Sequence, residues 1–219
     1  MEFTHNHLTK IYWILLLILG LFAVSMPDDF WSKASFFVCW LGLLFVALRA
    51  MSLKVVVQGR RLTEKNLFAE KSIDILPESR IYTRRNLQSF NLIIRHYDYR
   101  ITVVNPHETL KINANVNDAD QLFDAVAQLE RRYVTPGWLD QFARQGRLQL
   151  DHQWLVTRTG LEYRGKAYFF DKINGMELKN GQFMLMADGR LWQTAVLNVP
   201  VSEIPNVYSF MALLNHVHA

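Results

Sequence analysis

The chain has 219 residues, 24 of them Lys or Arg against 20 Asp or Glu, and half of them apolar. That length allows one large domain or two small ones with an appendage, and a formal net charge of +4 is too slight to mark a nucleic-acid binder by itself. The single cysteine, Cys39, excludes an internal disulfide and a cysteine metal cluster, and leaves the redox compartment undecided.

Two stretches near the start carry no charge: IYWILLLILGLFAVSM from Ile11 to Met26, and ASFFVCWLGLLFVAL from Ala34 to Leu48. A membrane-spanning helix needs roughly 20 apolar residues, with about 17 as a floor, so cut strictly both runs are short. Their flanks extend them: Lys10 can snorkel from a helix beginning at Leu8, and Arg49 from one continuing to Met51 and Leu53. Tyr12, Trp13, Phe30 and Trp31 stand where aromatic belts form. Helices of a soluble core keep a polar stripe, but here the interior polar residues are only Ser25, Ser35 and Cys39. A cleaved signal peptide fits poorly, since no small-x-small site precedes a polar mature start. Residues 1–52 are therefore predicted to form a two-helix transmembrane hairpin, with spans at about 9–26 and 34–51 and the stretch MPDDFWSK (Met26–Lys33) as its tip. Flanking positive charge sets the orientation. Lys10 precedes the first run, Arg49, Lys54, Arg60, Arg61 and Lys65 follow the second, and the tip has Lys33 against Asp28 and Asp29. Both termini are expected in the cytoplasm.

From Leu53 onward, LKVVVQG, KSIDILP, FNLIIRH, YRITVVN and TLKINAN read as strands, rich in β-branched and alternating apolar residues. NDADQLFDAVAQLERRY then reads as a helix with Asn117 and Asp118 as cap candidates, Leu122, Phe123, Val126 and Leu129 at helical spacing, and Pro136-Gly137 breaking the chain behind it. The pattern restarts with QWLVTRT, GLEYRG, AYFFDKI, GMELKN, QFMLMADG and LWQTAVLNV, with turn signals at Arg164-Gly165, Asn180-Gly181 and Asp188-Gly189. SEIPNVYSFMALLNHV closes the chain as a helix with Ser202 as cap. A gapless alignment of VNDADQLFDAVAQL on VSEIPNVYSFMALL matches Leu122 with Val207 and Leu129 with Leu214, the mark of an internal repeat.

Strands closed by one amphipathic helix suggest a small antiparallel barrel or bent sheet with a helical cap. The stretch GLEYRGKAYFFDKINGMELKNGQFMLMADGRLWQ, with its Arg-Gly-Lys turn, aromatic strand and Asp-x-Ile, resembles bacterial PH-like membrane proteins, which join an N-terminal hairpin to a cytoplasmic PH-like domain. The expected fold is a membrane α-hairpin plus α+β domains of this PH-like kind in two tandem copies, 53–134 and 138–219. The resemblance implies a non-catalytic, membrane-associated module in a bacterial inner membrane.

Direct signs of chemistry are sparse. Nucleotide-binding loops and G-x-S-x-G are absent from the sequence. His216 and His218 form an H-x-H in a helix end where residues two apart diverge, and Asp151-His152 is an ordinary neighbour pair. No enzyme activity, cofactor or metal is expected. Charge says more: Lys54 to Lys111 carries a net +5, and Ile112 to Ala219 a net −1. Arg60, Arg61, Lys65, Arg80, Arg84 and Arg85 form the candidate basic cluster for an anionic lipid surface or a partner. Aromatics are not interleaved with them as a nucleic-acid platform needs. The expected function is a membrane-anchored binding or scaffold module for an unknown protein partner. The alternative is a tethered immunity protein that neutralises a toxin, and homo-oligomerisation stays open.

Overall fold

The computed structural model describes residues 1–4, 7–25, 30–90, 94–113, 116–188 and 193–218. Met26 to Asp29, the body of the expected tip, lie outside them, as do Asn91–Ile93 within FNLIIRH and Gly189 of the third turn signal. The fold is α+β, with several antiparallel sheets, in two compact units.

The first unit comprises Met1–Ser72 and Asn115–Ala119. It opens with a strand absent from the sequence reading, β1 (Glu2–Thr4), followed by α1 (His7–Ser25) and α2 (Phe30–Met51). Leucines, unbranched at Cβ, and the absence of an internal proline favour both helices. They pack on each other where Gly20 meets the Trp40 ring, whose Nε1 donates to Leu17 O at 3.0 Å. Phe30–Lys33, assigned from sequence to the tip, form the first turn of α2. Trp31–Arg49 is long and apolar enough to cross a membrane, and almost none of it is buried.

After α2 come β2 (Lys54–Gln58), β3 (Arg61–Lys65) and β4 (Glu70–Asp74), in a sheet of order β1-β2-β3-β4. Thr4 pairs with Lys54 and Glu2 with Val56. The Met1 ammonium donates to Val57 O at 2.8 Å. β1 therefore leads into α1 at the same sheet end from which β2 leaves α2. Val55 and Leu62 are fully buried, and their outward neighbours Lys54 and Gln58 are exposed, as strand alternation requires.

The second unit comprises Ile73–Ala114 and Asp120–Ala219. β5 (Arg80–Phe90), β6 (Ile94–Val104) and β7 (Thr109–Asn113) make one sheet in that order. β8 (Arg147–Gln149), β9 (Trp154–Thr157), β10 (Gly160–Tyr163) and β11 (Lys166–Phe169) make a second, ordered β11-β10-β9-β8. β12 (Gly175–Lys179), β13 (Gln182–Asp188) and β14 (Gln193–Pro200) make a third. Arg164-Gly165 and Asn180-Gly181 both turn with positive φ, 52° and 78°, then 52° and 74°, as two-residue hairpins of the primed type demand. Each sheet is open at its edges, so among the described residues the strands do not close the expected barrel. Each three-strand sheet is separated from its neighbour in sequence by a connection instead of a shared ladder.

The helices depart from the sequence reading in two places. α3 (Ala119–Leu129) continues through a π turn (Glu130–Val134) into α4 (Thr135–Gln145), so Pro136-Gly137 does not break the chain. Pro136 falls in the first turn of α4, where a missing N–H is harmless, and the π turn just before it resets the hydrogen-bond register. The stop comes at Gly146, left-handed at φ 67°, whose N–H returns to Phe142 O. The last helix, α5 (Val207–His218), begins later than expected, and Ser202 lies in a separate 3₁₀ turn (Val201–Glu203). By helix start, Ala119 stands opposite Val207, not Leu122 as in the gapless alignment. The core of this unit centres on Trp154, Phe183 and Phe210, all fully buried, with Trp154 and Phe210 edge-to-face at 5.4 Å and Phe183 and Phe210 at 5.1 Å.

Candidate functional site

β5 is an edge strand of its sheet. At its start the outer edge is closed by one residue. Asn206, buried and held at φ 50°, accepts from Ile81 N–H through Oδ1 at 2.9 Å, donates its own N–H to Ile81 O at 2.8 Å, and donates Nδ2 to Ser79 O at 2.7 Å. Thr83 and Arg85 share the parity of Ile81, so the same edge continues past them. There it borders a groove of about 500 Å³ within the second unit.

Four pieces of backbone shape this groove. β5 contributes Thr83, Arg84 and Arg85; α3 contributes Asp120, Phe123 and Asp124 from adjacent turns of one face. The Asn180-Gly181 turn forms a third wall, tied down by Val201 N–H to Gly181 O at 2.9 Å. The first turn of α5 adds Val207 and Tyr208. Arg85 pairs with Asp120 at 3.0 Å and lies 5.5 Å from the Tyr99 ring centre, and Tyr99 meets Phe123 edge-on at 5.5 Å. Burial, with the Glu130 carboxyl next in weight, pushes the Tyr208 phenol above its ordinary value, so it stays a neutral donor. Arg85 pairs with Asp120 across the groove, and Arg84 and Asp124 also border it, which makes the groove polar, aromatic and nearly balanced in charge.

The six basic residues predicted as a cluster fall on different elements. Arg61 and Lys65 lie at opposite ends of β3, Arg60 in the turn before it, and Lys65 pairs with Glu70 at 3.0 Å. Arg80, Arg84 and Arg85 lie along β5, where only Arg84 and Arg85 reach the groove, and adjacent strand residues point to opposite faces. Asp151 is taken up locally: its Oδ1 accepts from Gln153 N–H at 2.8 Å and Trp154 N–H at 3.0 Å, while His152 is exposed. His216 and His218 both belong to α5, about 200° apart around the axis. Among the described residues no three His, Cys, Asp or Glu side chains converge on one point.

Glu130 escaped the sequence reading. It is fully buried in the π turn; its Oε1 accepts from Ser209 N–H, and its Oε2 has no partner. Thr135 Oγ1 bridges Glu130 O at 3.3 Å and Ser209 Oγ at 2.7 Å. Burial pushes the Glu130 carboxyl up to about 7, against the lowering effect of the Ser209 hydrogen bond. A signal was present: Leu122 and Val126 on the apolar stripe of α3 lead at spacing four to Glu130 in the π turn.

The chain belongs to a family of unknown function (DUF6585), whose profile matches residues 2–219. No curated protein and no solved structure matches it.

Proposed function

We propose that this DUF6585 member is a membrane-anchored, non-catalytic binding module whose groove beside β5 docks an extended segment of a partner protein. The observation that carries the anchoring is the union of the helical hairpin with one sheet. Thr4 before α1 and Lys54 after α2 are paired, so both ends of the hairpin leave from the same side. Exposed apolar residues cover α2 between them, including Phe37, Val38, Phe45 and Val46. These features support a two-pass topology; by the positive-inside rule both termini then face the cytoplasm, and the membrane on this reading is a bacterial inner membrane.

A groove beside β5 with aromatic and hydrogen-bonding walls suits an extended segment held by its side chains. The Arg85–Asp120 pair and the near balance of charge in the groove favour a protein segment of mixed charge over an anionic lipid surface. The two halves of the chain also support tandem PH-like copies. Each runs through four strands, three strands and a helix, and the first copy would carry the hairpin as an insertion between β1 and β2. Val57 pairs with Leu62 as Val156 pairs with Leu161, and buried Val55 corresponds to buried Trp154 at the same separation. Asp118 before α3 and Asn206 before α5 both have positive φ.

A photo-crosslinking residue at Gln182, in the full chain in native membranes, tests the docking. The expected result is a discrete protein adduct that Arg85→Glu weakens. Recovery of lipid adducts alone would refute a protein-binding groove. Cysteines at Asp29 and Asn180 test the topology, with labelling by an impermeant thiol reagent from outside expected at Asp29 only.

A further inference from the structure

The turn between β3 and β4 is built from polar backbone contacts but displays apolar side chains. Asn66 Oδ1 accepts from Phe68 N–H and Ala69 N–H, both at 2.9 Å, and Asn66 N–H donates to Ala69 O at 2.9 Å. An Asx turn of this kind satisfies the backbone whatever side chains occupy its tip. Here the tip carries Leu67, 64% exposed, and Phe68, 49% exposed.

The tip is fixed against the end of α2. Leu67 N–H donates to Ser52 Oγ at 2.8 Å, and Ser52 Oγ donates to Arg49 O at 3.1 Å. The Phe68 ring stacks on Phe45 with centres 4.5 Å apart. Phe45 lies four residues before Arg49, about 6 Å further into the apolar stretch. Leu41, Phe45 and Leu48 are exposed on that stretch at helical spacing, so Leu67 and Phe68 continue an existing apolar strip.

The sheet register places this turn and the Arg60–Arg61 pair at opposite ends of the β2–β3 ladder. Lys54 pairs with Lys65 beside α2, and Gln58 with Arg61 at the other end. Four residues of strand separate the two ends by about 13 Å. That exceeds a Debye length of about 8 Å at physiological salt, so strands standing upright on the surface that α2 enters would hold Arg60 and Arg61 away from it. Lys54 and Lys65 at the near end are paired with Glu2 and Glu70, at 2.8 Å and 3.0 Å.

We propose that the Leu67–Phe68 tip inserts into the interfacial layer of the bilayer alongside α2. It sets the height and tilt of the β1–β4 sheet above the membrane, as a third contact beside the two helices. This rests on the reading of α2 as a membrane span, and the occupant is the lipid interface itself.

The test uses the full chain with Cys39→Ser, reconstituted in phosphatidylcholine–phosphatidylglycerol vesicles. Nitroxide labels go on single cysteines at Val38, Leu67 and Arg60, and their exposure to dissolved oxygen and to a water-soluble nickel chelate is read by power saturation. The expected result is oxygen-rich, nickel-poor exposure at Val38 and, less deeply, at Leu67, with the reverse at Arg60. A Leu67 label as open to nickel as Arg60, with Val38 still shielded, overturns the inserted tip but leaves the span standing. Exclusion of both reagents at Leu67 overturns it too, in favour of a protein contact. A nickel-accessible Val38 removes the span and the proposal with it.

Discussion

Replacing Glu130 with Gln should abolish a pH dependence of stability that this one carboxyl imposes. Its pKa is about 7 in the folded chain and 4.5 in the ordinary carboxylate. A carboxyl whose pKa rises on folding binds its proton more tightly when folded. The stability it permits is therefore complete below 4.5, falls as pH climbs towards about 7, and stays level above that. At about 1.4 kcal/mol for each tenfold change in proton affinity, the span amounts to about 3 kcal/mol. The cause is visible in the geometry: Oε1 has the Ser209 N–H, Oε2 has nothing, and both are shut from water. Gln keeps the acceptor for Ser209 and loses the charge. Thermal unfolding of the full chain in detergent, followed by tryptophan fluorescence, reads the effect through buried Trp154. Between pH 5 and pH 8 the wild type should lose about 5–10 °C more than Glu130→Gln. The two should nearly coincide at pH 5, with the variant the more stable at pH 8. Parallel pH profiles would refute the reasoning, since they would mean the carboxylate is solvated or partnered in the folded state.

Asn206→Ala should destabilise the chain by about 3 kcal/mol in chemical denaturation, because it strands Ile81 N–H and Ser79 O and places a Cβ-bearing apolar residue at φ 50°. Asn206→Gly should recover only the backbone share, and full recovery would mean that the side-chain bonds contribute nothing. Gly20→Leu should lower the unfolding temperature, since a Cβ there meets Trp40 Cδ1 at 2.6 Å and overpacking costs typically about 1–3 kcal/mol. Gly42→Leu, which meets nothing within 4 Å, should be tolerated, and equal losses in both variants would contradict the helix–helix contact.

Local pattern carried the features that local physics decides. The charge-free runs announced α1 and α2, and the positive-φ dipeptides Arg164-Gly165 and Asn180-Gly181 announced their hairpins. Leu122, Val126 and Leu129 announced the buried face of α3. Pro136-Gly137 misled because the same residues suit a first helical turn as well as a break, and what precedes them, a π turn, has no simple sequence signature. Ser202 misled similarly, since Asn206, with two bonds to Ile81 of β5, is the residue at which α5 can begin. Of the candidate basic residues, Arg84 and Arg85 reach the groove and Arg60, Arg61, Lys65 and Arg80 do not line it. Proximity in sequence could not separate them, because strand alternation and the β2–β3 register assign each to a different face or end.

The sequence by itself determined which segments are apolar, which are periodic and where the chain must turn, because those depend on neighbours within one or two turns. Tertiary structure alone decided that Glu2–Thr4 is a strand, since its partner β2 lies beyond the whole hairpin. It alone decided that Glu130 is sealed from water by α5, and that Phe68 rests on Phe45. Burial and long-range pairing are properties of what the fold brings near, and no window along the chain contains them.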